Sequence, residues 1–222
     1  AAPLDQGNIA AAAVLAAPAS GRPANRQWVT YIGKLGWRST SAMQLLILDA
    51  LDRRDIGMIV KITDALLRRE KLTEQATELM AFIEGNKEGW KRLYRILSGN
   101  PPWRSRYLGT VTVLKTPAML EGRLQTIKAL QRARTKLSRQ EVAPLVQLLA
   151  RTGEYADAKT VWSNFTGRKA LLDDPDFKMA AEATSDDTFA VPFEWTFANS
   201  VDVSSDGIGG ADAIIRWDGR GV

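Results

Sequence analysis

The segment Leu145 to Phe165, "LVQLLARTGEYADAKTVWSNF", constrains the fold more than any other part of the chain. Apolar residues recur at three- and four-residue steps on either side of "RTGE", the pattern of two amphipathic helices. A tight turn at Gly153 joins them, so they pack antiparallel. The small Ala158 lets the helices approach closely, and Tyr155 and Trp162 are expected to fill the groove between them.

An earlier segment, "LLILDALDRRDIGMIVKITDAL" (Leu45 to Leu66), aligns with the first when Ile56 is laid on Tyr155. The offset is 99 residues, close to three repeats of about 34. The copies are degenerate, with Arg54 in place of Gly153 and Ile59 in place of Ala158. The motif resembles the core of a tetratricopeptide repeat. Helical periodicity extends to about Gly167, with Met43, Leu46, Ile47, Ala50 and Leu51 on one predicted core face and Ile59, Ile62 and Leu66 on the next. Thr73, Ser138 and the pair Thr116-Pro117 read as helix starts. The expected fold is therefore mainly α: a tetratricopeptide-like solenoid of antiparallel helix pairs over residues 1–167.

After Gly167 the pattern changes. "FEWTFA", "VDVSSDGIGG" and "DAIIRW" alternate, hold aromatic and β-branched residues, and are separated by glycine turns, so they read as short strands. Residues 168–222 are expected to form a short β-rich C-terminal segment. The charge changes with the pattern: residues 171–222 carry eleven acids and three bases, a net −8, and the rest of the chain carries +13. The basic part reads as a solvated helical surface whose positive field attracts an acidic partner or the acidic tail. No recognition motif accompanies the charge, so nucleic acid is not the expected partner.

The sequence contains neither cysteine nor histidine. That excludes disulfides, Ser-His and Cys-His nucleophilic systems, zinc sites of the usual ligand types and imidazole acid–base catalysis. Only carboxylates, lysines and hydroxyls remain, and no catalytic residue is assigned. Asp173, Asp174 and Asp176 offer the paired carboxylates a glycosidase needs, but any acidic turn does the same. "DVSSDG" (Asp202 to Gly207) begins like a calcium loop and fails at its twelfth position, Ala213, where a bidentate carboxylate is required. No metal site or cofactor is expected. No apolar run reaches the roughly 18 residues that cross a bilayer; the best stretch, Ile9 to Ala17, is short and alanine-rich and reads as a packed helix.

The stretch "SGNPPWRSRYLG" (Ser98 to Gly109) interrupts the helices with two prolines, a tryptophan and two arginines. Pro101 and Pro102 force an extended approach, which is how a helix-to-helix corner is built, and that is the preferred reading. Trp and Arg are also the residues favoured at binding hot spots, so Pro102, Trp103, Arg104 and Arg106 are candidates for contacting a partner. On the strand-like segments, Trp195 and Trp217 are candidates for stacking on sugar rings, although core packing is the commoner use of tryptophan. Trp28, Trp37, Trp90 and Trp162 lie within helical patterns and are assigned to packing.

The succession "DALLRREKL" (Asp64 to Leu72), "NPPWRSRYL" (Asn100 to Leu108), "LARTGEYADAKTVW" (Leu149 to Trp162) and "PFEW" (Pro192 to Trp195), with "LGWRS" (Leu35 to Ser39), resembles a family of exported bacterial tetratricopeptide-like proteins. The family is associated with polysaccharide synthesis and export. The resemblance implies an anchor upstream of this chain, an extracytoplasmic or periplasmic location, and a C-terminal region like a carbohydrate-binding β-sandwich. Some 30 residues follow Trp195, against about 100 in a complete sandwich, so an incomplete sandwich is expected. Repeats without catalytic residues point to a non-enzymatic scaffold or adaptor whose partner is a protein or an acidic polysaccharide. The rival readings are a structural subunit whose β tail is completed by another chain and, third, a glycan-active enzyme.

Overall fold

The computed structural model describes residues 29–30, 32–33, 37 and 39–167, and the backbone of 202–204 and 214–216. Among these residues the fold is mainly helical. Helices α1 (Thr40–Asp52), α2 (Ile56–Arg68), α3 (Thr73–Glu84) and α4 (Lys87–Ser98) are followed by the short α5 (Arg104–Gly109), then α6 (Pro117–Arg132), α7 (Arg139–Arg151) and α8 (Tyr155–Thr166). Strands β1 (Asp202–Ser204) and β2 (Ile214–Arg216) pair antiparallel, with Val203 opposite Ile215. The remainder of the expected β-rich segment lies outside the described residues. No described helix is long and apolar enough to cross a membrane.

The helices belong to two compact units. The first holds α1 to α4 and α6 up to Thr126; the second holds α5, the rest of α6, α7 and α8. In the first unit α1 packs on α2, α2 on α3 and α4, and α3 on α4; in the second α7 packs on both α5 and α8.

The 99-residue repeat is present in the backbone. Helix α1 starts at 40 and α7 at 139, they end at 52 and 151, and their partners start at 56 and 155. The two turns share the bonds that reverse the chain. Asp55 N–H donates to Ala50 C=O and Arg54 N–H to Leu51 C=O; Glu154 donates to Leu149 and Gly153 to Ala150 in the same way. These are Schellman helix ends, which need a left-handed residue at the reversal. Gly153 takes it with φ 87°, and Arg54 takes it with φ 54° despite its side chain. The substitution that makes the sequence repeat look degenerate left the turn unchanged.

Helix starts follow the sequence. Thr116 accepts the Met119 N–H at 3.3 Å ahead of Pro117, and Ser138 with Glu141 forms a capping box. Thr73 is the first residue of α3, behind Leu72 at the cap position with φ 49°, and its carbonyl accepts the Thr77 hydroxyl at 2.7 Å.

Core assignments are mostly met. Met43, Leu46, Ala50, Ile59, Ile62, Leu66, Ala158 and Trp162 are buried. Leu51 and Tyr155 are corrections, at 40% and 62% exposed. Tyr155 is the first residue of its helix, and Trp162, two turns on, is the one that packs, with Phe165 at 5.2 Å and the Arg139 guanidinium over its ring at 5.3 Å. Trp37 and Trp90 are half-buried, and Trp28 lies outside the described residues.

Two glycines pack closely against the C-terminus of α3. A Cβ on Gly89 of α4 would fall 1.9 Å from the Ile83 carbonyl oxygen, and one on Gly122 of α6 would fall 2.1 Å from that of Glu84. Only hydrogen fits at either place. Beside Gly122, the Arg123 Nε donates to Glu84 Oε2 at 2.8 Å, and both side chains are fully buried.

Candidate functional site

The corner from Ser98 to Gly109 is built by its own sequence. Helix α4 ends at Ser98, and Asn100 takes the left-handed conformation with φ 51° while its N–H donates to the Leu97 carbonyl at 3.0 Å. A Schellman end would next use the following N–H. Pro101 has none, so the helix stops, and a turn at Pro102 and Trp103 leads into α5.

The candidates at the corner divide by exposure. Trp103 is 5% exposed, and its Nε1 donates to Asp64 Oδ1 on α2 at 2.8 Å. Asp64 also accepts Arg68 Nε at 2.9 Å. Arg104 opens α5 and is buried: its Nε donates to Glu141 Oε1 at 2.7 Å, and its Nη2 donates to Glu141 Oε2 at 3.2 Å and to the Lys136 carbonyl at 2.9 Å. Glu141 Oε2 also accepts the Ser138 N–H at 2.7 Å. Pro102 and Arg106 are exposed. The structure thus commits the ring of Trp103 and the fork of Arg104 to the protein's own packing, and leaves Pro102 and Arg106 facing solvent. Trp195, Trp217, Asp173, Asp174 and Asp176 lie outside the described residues.

Carboxylates are the groups through which a chain without histidine or cysteine would do acid–base chemistry. Among the described residues the buried ones are Asp49, Glu84 and Glu141. Each is tied to an arginine: Asp49 to Arg53, Glu84 to Arg123 and Glu141 to Arg104. A hollow of about 300 Å³ in the first unit is lined by Val29, Thr30, Gly33, Leu46, Asp49, Arg53 and Met58. That is the small end of the range for ligand pockets. Its wall carries one carboxylate, Asp49, already paired with Arg53, whereas glycoside hydrolysis needs two facing each other across the cleft. Among the described residues no cluster of acidic side chains could hold a metal ion.

Neither buried pair that crosses between helices was legible in the sequence. Ser138-x-x-Glu141 is readable as a capping box, but its long-range partner Arg104 lies 37 residues away. Glu84 and Arg123 are 39 residues apart and carry no local signal at all. No family model, curated protein or solved structure matches this chain.

Proposed function

We propose that this chain is a non-enzymatic scaffold that binds an acidic partner, a protein or an acidic polysaccharide, through cations on the outer faces of its helices. The observation that carries the reading is the division of charge. Among the described residues each buried carboxylate is paired with an arginine, while most of the other lysines and arginines face solvent. A scaffold needs a rigid interior and a charged exterior, and charge complementarity then supplies encounter rate and specificity.

The recurrence of one helix–turn–helix at 99 residues supports reading the helices as links of a tetratricopeptide-like solenoid, an architecture that presents long binding faces. The resemblance adds polysaccharide synthesis or export and an extracytoplasmic location to this reading.

Affinity electrophoresis through gels cast with an acidic polysaccharide such as alginate, beside neutral dextran gels, at low and high salt, tests the function. Retardation in alginate that fades with salt is the expected result. Shortening of the polymer chains by the protein would overturn the non-enzymatic reading; no retardation, together with no acidic protein retained by the immobilised chain, would overturn the scaffold.

A further inference from the structure

Helix α4, "KEGWKRLYRILS", separates its residues by face. Gly89, Leu93 and Leu97 point inward and are buried. Lys87, Lys91 and Arg95 are exposed and follow one another at four-residue steps, so they form a row on one face with about 6 Å between successive positions. None of the three makes an ion pair among the described residues. The helix's one acid, Glu88, is offset from the row and stands one turn before Arg92. Arg92 turns away toward α2, its Nη1 lying 3.1 Å from where a Cβ on Gly57 would sit.

Along the inner edge of the row run Trp90 and Tyr94, also four residues apart and both half-buried. One strip of surface therefore sets cations beside two half-buried aromatic side chains. Trp, Tyr and Arg are the side chains that most often anchor protein interfaces.

We propose that this face of α4 is the docking surface for an acidic amphipathic helix of a protein partner. The proposal deepens the scaffold reading and rests on it. Carboxylates spaced by one helical turn match the cation row, and apolar side chains one position round the partner helix meet Trp90 and Tyr94. A polyuronate also satisfies the charges, but a pyranose stacks on an open ring face, whereas Trp90 and Tyr94 are half-buried and suit apolar side chains that meet what remains exposed, which favours a polypeptide over a polysaccharide at this face.

The test is fluorescence anisotropy with a labelled peptide carrying Glu at every fourth position and Leu next to each Glu, with a scrambled peptide and alginate of equal charge as competitors. It is run on the wild-type chain, on the Lys87→Glu/Lys91→Glu/Arg95→Glu variant and on Tyr94→Ala, with circular dichroism confirming that each variant is folded. The wild type is expected to bind the patterned peptide on the order of tenfold more tightly than the scrambled one. Charge reversal should abolish binding, and Tyr94→Ala should weaken it severalfold.

Equal binding of both peptides, equally effective competition by alginate, or full binding by the charge-reversed variant would each overturn the assignment. The alginate gels separate this failure from failure of the scaffold reading: a charge-reversed variant still retarded like wild type leaves the scaffold standing and removes α4 from it.

Discussion

Arg104 and Glu141 form a two-point ion pair, 2.7 Å and 3.2 Å between donor and acceptor atoms, with side chains only 7% and 2% exposed. The same carboxylate holds the first turn of α7 by accepting the Ser138 N–H. Arg104→Met would leave that carboxylate buried without its cation, which costs about 3–5 kcal/mol. Urea unfolding of the second unit's signal should show the loss. Glu141→Gln keeps an acceptor for Ser138 and should cost less than Glu141→Leu; equal costs would mean that the cap contributes nothing.

Gly89→Ala and Gly122→Ala each place a methyl within about 2 Å of a backbone carbonyl oxygen, at 1.9 Å and 2.1 Å. A backbone carbonyl gives way only if the helices separate, so each variant is expected to lose at least about 1–3 kcal/mol. Gly99→Ala is the control, since its nearest neighbour lies at 3.3 Å. Thermal melts of the three variants should rank Gly99→Ala closest to wild type.

Periodicity revealed the helices because each must bury one stripe, and that requirement acts locally: Ile59, Ile62 and Leu66 had to face one way. It also revealed the 99-residue repeat, in which both ends of the first helix and the start of the second agree to the residue. It placed Tyr155 wrongly because a first-turn residue lies at the end of the packing stripe, where the neighbouring helix has already turned away. The corner's shape was readable from Asn100 and the two prolines. The destinations of Trp103 and Arg104 were not, since Asp64 and Glu141 reach them through tertiary packing across 39 and 37 residues.

Arg54 and Gly153 occupy equivalent left-handed turns, so exchanging their residue types tests the repeat directly. Arg54→Gly removes the steric penalty of a side chain at positive φ and should stabilise the first unit by about 0.5–1 kcal/mol. Gly153→Ala meets no atom within 4 Å, so its cost, about 1–2 kcal/mol, comes from the backbone alone. Chemical denaturation should move in opposite directions for the two variants.

Trp162 and Tyr155 share one helix and have opposite fates, 1% and 62% exposed. Trp162→Ala opens a cavity beside Phe165 and removes the ring under Arg139, which should cost about 3–5 kcal/mol. Tyr155→Ala removes a ring that is mostly in water and should change stability by less than about 0.5 kcal/mol. Both are read from urea midpoints followed by far-ultraviolet circular dichroism, a signal that neither substitution removes. A large loss for Tyr155→Ala would show that its ring packs in solution, as the repeat pattern had it. A small one leaves the Tyr155 ring on the surface, where an exposed aromatic at the start of a helix is available to a partner and not to the core.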